Sequence, residues 1–191
     1  MKLGIIGLPR SGKSTIFEAL TQNILPEDHK GESRIGTVRV PDKRVDVLSD
    51  MYKPKRTIYA QVEYFLPDVL RQKKDQKVWV QVRDCDALIH VVRNFGGYGF
   101  ENPTPFLDFQ TIDQELILAD LAVVEKKLES VELDRKRVKE TSPVELSLLN
   151  QCLRNLKNEI PLRKVPDLAS AHLLKGYAFL SAKPMLVLFL S

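Results

Sequence analysis

Residues 7–14 read Gly-Leu-Pro-Arg-Ser-Gly-Lys-Ser, a G-x-x-x-x-G-K-[ST] spacing that constrains the fold more than any other part of the chain. The apolar run Lys2–Ile6 precedes it and reads as a buried parallel strand. Residues 14–21 follow, with Ile16, Phe17, Ala19 and Leu20 at helical spacing. A strand-to-helix turn of this kind lines up backbone N–H groups at a helix N-terminus, where the dipole favours an anion. Gly7 and Gly12 permit the backbone conformations and the close approach that wrapping a phosphate chain requires. Lys13 can reach the β- and γ-phosphates as a point charge, and Ser14 offers a hydroxyl to Mg²⁺. The expected nucleotide-binding residues are Gly7, Arg10, Ser11, Gly12, Lys13, Ser14 and Thr15, with Ser14 as the metal ligand. The plainer reading is a glycine-rich turn with an incidental lysine. The strand before the motif and the helix after it argue against that.

The rest of the chain alternates strands and helices. Residues 23–34 are polar and read as a loop, and 35–40 alternate like a strand ended by Pro41. Asp42 can cap a helix from Lys43 to about Met51. Residues 57–66 are rich in β-branched and aromatic side chains and read as a strand, 67–77 as a polar loop and helix start, and Ala87–Arg93 as a buried strand. Three glycines and two prolines in 94–105 predict a loop. Thr111-Ile-Asp-Gln114 fits a capping box. After it, Ile117, Leu121, Val124, Leu128, Val131 and Val138 keep a heptad rhythm that Arg135 interrupts. Ser142-Pro143 signals a second helix start, and Leu146, Leu149, Leu153, Leu156 and Ile160 repeat the rhythm. A short helix at 167–176 and a strand at 184–190 complete the pass. The expected fold is α/β, a doubly wound, mostly parallel sheet with an inserted antiparallel helical hairpin. The division is 1–110 for the first part of the nucleotide-binding domain, 111–165 for the hairpin and 166–191 for the domain's continuation.

The composition, 43% hydrophobic and 28% charged, suits a globular chain, and the net charge of +4 permits weak attraction to nucleic acid without demonstrating it. Cys85 and Cys152 form no C-x-x-C pair, and the start lacks the features of a signal peptide, so a reduced, cytoplasmic setting is expected. No run of about 18 apolar residues predicts a membrane partner. His29, His90 and His172 show no metal-ligand spacing. His90, inside an apolar strand, reads as a core residue with its hydrogen bonds satisfied or as a strand-end residue. The basic stretches 53–56 and 71–74, with Tyr52, Tyr59 and Trp79 nearby in sequence, suit RNA phosphates, although such runs are more often a solvated face.

At this point the chain resembles the YchF family of Obg-related P-loop NTPases. The resemblance rests on MKLGIIGLPRSGKSTIFEALT, VPDKRVDVLSDMYKPKR, DCDALIHVVR, TIDQELILADLAVVEKKLE and KPMLVLFL. It implies a GTP- or ATP-binding domain with a coiled-coil insertion, ATP often being preferred, and an association with ribosomes and stress responses. A C-terminal TGS-type domain would follow. Four features depart from the family pattern. Lys30 falls where the first switch places a threonine that helps hold Mg²⁺. Leu66 and Val69 fall on the metal-facing aspartate and the γ-phosphate-sensing glycine of the second switch, leaving Asp68 in a shifted position. RQKKDQKVWV replaces a glycine-rich stretch. Leu190 falls on the asparagine of the base-reading motif just before the chain ends at Ser191. Losing one preorganised contact of this type commonly costs about 2.7–4 kcal/mol of barrier. The implied function is a purine-nucleotide switch linked to ribosomes or translation, with hydrolysis weak or lost, weak base discrimination and no assignable catalytic residue. The alternative is a fragment, or a non-hydrolysing module whose hairpin docks a protein or RNA partner. Glu125, Lys126, Lys127, Glu129, Lys136 and Arg137 would form the hairpin's outer face.

Overall fold

A computed structural model of the chain describes residues 1–22, 33–67, 76–97, 102–135 and 142–191. In chain order the elements are β1 (Lys2–Ile6), α1 (Lys13–Thr21), β2 (Arg34–Arg39), α2 (Lys43–Tyr52), β3 (Gln61–Leu66), α3 (Gln76–Val82) and β4 (Ala87–Arg93). They continue with α4 (Pro105–Arg135), α5 (Pro143–Lys157), α6 (Pro166–Ala169) and β5 (Met185–Leu190), with 3₁₀ turns at Leu162–Lys164 and His172–Tyr177. The sheet order is β2-β3-β1-β4-β5. β1 runs parallel to β3 and β4, and β4 runs parallel to β5.

The apolar runs of β1 and β4 make sense at the centre of this sheet, where both faces are covered. Ile6, Phe65 and Leu88 meet Trp79 and Val82 of α3 and Ile112 and Leu116 of α4. On the opposite face Ile5, Leu66, Ile89 and Val91 pack with Phe17 of α1. Helices on both faces make the sheet doubly wound. A further cluster joins Ile117 and Val124 of α4 to Leu149, Cys152 and Leu156 of α5, and Leu162, Leu168, Leu174 and Phe179 extend it. Cys85 and Cys152 are both free thiols in these cores. Asp120 of α4 is fully buried. It accepts from the backbone N–H groups of Leu180 at 3.0 Å and Ser181 at 2.7 Å, and from Arg83 Nη1 at 3.0 Å. One carboxylate thus ties α3, α4 and the turn entering β5.

β2 is antiparallel to β3 while the other described pairs are parallel, so the sheet is mostly parallel, as expected. A parallel pair needs a connection that crosses a sheet face, and α2, which buries none of its residues, packs on neither face. Several element boundaries differ from expectation. α4 starts at Pro105, six residues before the expected capping box. Pro105 occupies the first helical position, and the Thr104 hydroxyl donates to Asp108 at 2.9 Å. Thr111 lies inside the helix and donates back to the Leu107 carbonyl at 2.8 Å. β3 starts at Gln61 rather than 57, because Thr57 is tied to Ser49 of α2 by a 2.6 Å hydroxyl pair. The expected helix at 167–176 is instead α6 and a 3₁₀ turn, parted at Ser170-Ala171. Ile160 lies past the end of α5 and is exposed, and Val138 is outside the described residues. Among the described residues no helix is long and apolar enough to cross a membrane.

Candidate functional site

The loop between β1 and α1 draws its shape from three residues in left-handed backbone conformations: Gly7 at φ 149°, Arg10 at φ 61° and Gly12 at φ 96°. Neither glycine can be replaced without a clash. A Cβ on Gly7 would stand 2.3 Å from the Val91 carbonyl oxygen of β4, and one on Gly12 would stand 2.3 Å from Leu190 Cδ1 of β5. The Ser11 N–H closes a turn onto the Leu8 carbonyl at 3.2 Å, and the Ile16 N–H makes the first helical bond to Gly12 at 3.0 Å. No side chain caps α1 and its first turn holds no acid. The free N–H groups of that turn therefore face outward with the positive end of the helix dipole behind them.

Lys13 holds this loop together from inside. Its side chain is buried, and its Nζ donates to the carbonyls of Gly7 at 2.9 Å and Leu8 at 2.6 Å. Burial pulls its pKa down to about 8. The ammonium therefore spans the loop from inside, satisfied by carbonyl dipoles and with no carboxylate paired to it among the described residues. Ser11 is also buried, and its Oγ has no hydrogen-bond partner among the described residues. Arg10, Ser14 and Thr15 are exposed. All seven residues expected from the motif thus lie on one continuous loop and first helical turn. Beside the loop is a cavity of about 120 Å³, walled by Leu8, Pro9, Trp79 and Ile112, with Lys13 and Glu115 at its edge.

The exposed Ser14 hydroxyl fits one position of a Mg²⁺ shell, an ion that takes one or two protein oxygens and leaves the rest to phosphates and water. Leu66, on the metal-facing position of the second switch, is buried in the core and offers no oxygen. Lys30, Asp68 and Val69 lie outside the described residues. So do His29, the basic run 71–74, and Lys136 and Arg137. Among the described residues no group of three or more His, Cys, Asp or Glu side chains is placed to hold a metal.

The remaining candidates separate. His90 is fully buried and stacks on Phe109 of α4 at 5.5 Å. Contrary to expectation, neither ring nitrogen has a partner among the described residues, and burial holds its pKa down to about 4. His172 sits on an exposed 3₁₀ turn. Trp79 belongs to the sheet core and not to the basic stretch, whereas Tyr52 and residues 53–56 are exposed together. On α4, Glu125, Lys126 and Glu129 are exposed, and Glu125 pairs with Lys157 of α5 at 3.5 Å. Sequence reasoning missed the contributions of Val91 and Leu190 to the loop. Nothing local marks them: Gly7 follows β1 and Gly12 stands at the cap of α1, and the strands that approach them are set by the fold.

No protein-family model matches the chain. It is 33% identical over 198 residues to the ribosome-binding ATPase YchF of Haemophilus ducreyi, an alignment that takes in 96% of this chain and 54% of that protein. It is 30% identical to the ribosome-binding ATPase YchF of Bacillus subtilis, again over 96% of this chain and 54% of the relative. The structure of the Schizosaccharomyces pombe YchF GTPase matches with a TM-score of 0.75 and 26% identity, covering 99% of this chain and 56% of that one. The chain spans about half the length of the curated relatives it matches.

Proposed function

This chain is homologous to the YchF proteins along 96% of its length, and on that premise we propose that it binds a purine nucleoside triphosphate, ATP or GTP, through residues 7–15. The observation that carries the reading is Lys13. A buried ammonium that, among the described residues, is satisfied by carbonyl dipoles alone, at the start of a helix free of first-turn acids, is suited to a polyphosphate that brings a counter-charge. Backbone donors from Arg10 to Thr15 hold the α- and β-phosphates, Lys13 neutralises charge, and Ser14 gives one oxygen to Mg²⁺. Held there, Mg²⁺ would supply charge neutralisation to the phosphates.

Hydrolysis of a γ-phosphate rests on positioning and charge stabilisation. With Leu66 in the core where an acid would face the metal, turnover is weak or lost, and binding alone acts as the switch. α4 and α5, joined by the apolar cluster between them, are read as a helical hairpin inserted into the nucleotide-binding domain, whose exposed α4 face would be a surface through which a ribosome-linked partner docks. Leu190, packed on Gly12, stands where a base-reading asparagine would, so the two bases are distinguished weakly.

Calorimetric titration with ATP, GTP and their diphosphates, with and without Mg²⁺, tests the reading. Saturable uptake that Lys13→Ala abolishes is expected, and folded protein that takes up no nucleotide at millimolar concentration overturns it. Phosphate release above the Lys13→Ala control would assign an ATPase or GTPase. Its absence with binding intact supports the non-hydrolysing switch.

A further inference from the structure

α2 breaks the rule by which the other long helices are held. It has ten residues, none of them buried. Val47, Leu48, Met51 and Tyr52 are each more than half exposed, and Ile58 on the returning strand of chain is 73% exposed. A helix that gives no apolar side chain to the core, yet carries an apolar stripe, is built for something outside the core.

The charges around the stripe say what that is. Asp42 caps the helix and is gripped by Arg44 at 2.7 Å. Asp46 accepts from the Tyr59 hydroxyl and pairs with Arg39 at 3.8 Å, while the Arg39 guanidinium stacks on the Tyr59 ring. Two of the three acids on this arm are thus matched internally. Lys43, Lys53, Lys55 and Arg56 are exposed and have no partner among the described residues. They are also held in place. Lys53 closes α2 in a left-handed conformation, its N–H bonded to the Ser49 carbonyl at 2.9 Å, and the Ser49–Thr57 hydroxyl pair pulls the chain back past Pro54. The result is a pinned, basic tip with an exposed tyrosine at its base, Tyr52 being 76% exposed.

We propose that the α2 arm, residues 43–58, is a binding surface for single-stranded RNA. Lys53, Lys55 and Arg56 would contact the phosphate backbone, and Tyr52 would offer its ring to a base. Fixed cations next to an exposed aromatic are the combination that sequence-tolerant single-strand binding uses. Of the acids here only Asp50 is left unmatched, so the exposed charge of the arm is net positive, the sign that a phosphate backbone attracts. The inference rests on the ribosome-linked part of the function proposed above, and names the surface and chemistry that would serve it.

The test is fluorescence anisotropy of the whole chain with a labelled single-stranded RNA of roughly 12 nucleotides, titrated at about 50 and about 200 mM salt. Lys53→Ala/Lys55→Ala/Arg56→Ala is expected to weaken binding at least about tenfold and to flatten the log–log salt slope by about 2. Tyr52→Ala is expected to weaken binding about tenfold and leave the slope unchanged. Both variants alter exposed side chains only, so the melting temperature of the parent should be retained. RNA binding by the triple variant with the parent's affinity and slope overturns the proposal. So does equal retention of polyglutamate, a protein-like polyanion, by the parent. Nucleotide uptake measured on the same samples tests the loop separately: uptake that survives while RNA binding ignores the arm sinks the RNA surface alone.

Discussion

Lys13 holds a charge where the surroundings disfavour it, and the pH dependence follows in sign. Its pKa of about 8 lies below the ordinary 10.5. Between those values the folded chain carries fewer protons than the unfolded one, so the empty protein gains stability as pH rises through that window. Phosphate binding runs the other way, because only the ammonium form attracts an anion. Affinity for pyrophosphate is therefore expected to fall by up to about tenfold per pH unit above about pH 8. Calorimetry across that range checks it, and a flat profile would remove Lys13 from the role. His90 has the same sense of shift at lower pH. Its folded pKa of about 4 lies below the ordinary 6.5, so stability is lost as pH falls from 6.5 towards 4, by on the order of 3 kcal/mol. Urea unfolding at a series of pH values should show that slope in the parent and a shallower one in His90→Leu.

Among the elements, α4 depends on a single buried acid to hold α3 and the turn into β5. Asp120→Ala would leave two buried backbone N–H groups without their acceptor and Arg83, still bonded to the Ala119 and Ala178 carbonyls, without its counter-charge. The expected cost is about 3–5 kcal/mol, read as a fall in melting temperature of at least about 6 °C for a chain of this size. Asp120→Asn, which can still accept one bond, should fall between. Asp120 also shows where sequence reading stops. It sits between heptad positions and looks like any exposed polar residue, and its partners Leu180 and Ser181 are 60 and 61 positions away. β1, α1 and β4 were legible because their signals are local: unbroken apolar runs, and a motif whose glycines and lysine act within a few residues of one another. The direction of β2 was not, since it depends on where α2 goes after leaving the strand. The start of α4 was hidden because Thr104-Pro105 looks like the end of a proline-rich loop until Asp108 is seen to answer the threonine. The candidate loop was legible residue by residue. The contacts that make its glycines obligatory were not, because they come from β4 and β5.

Over the whole molecule, the loop is clasped by β4 and the edge strand β5 and not hung from the surface. Gly7 lies against Val91 of β4 and Gly12 against Leu190 of β5, while Lys13 begins the helix that covers one sheet face. Ligand held there should oppose global unfolding. At a nucleotide concentration about 100 times the dissociation constant the gain is about 2.7 kcal/mol, or a rise in melting temperature of about 5–10 °C. A thermal shift with ATP and Mg²⁺ should show it, and Lys13→Ala should show none. α2 has the opposite relation to the fold. With no side chain committed to the interior, it is held by its own backbone bonds, its Asp42 cap and the Ser49–Thr57 pair. Substitutions in it escape the packing penalty that governs the rest of the chain, so evolution can rewrite this stretch for a new companion while the interior keeps its shape.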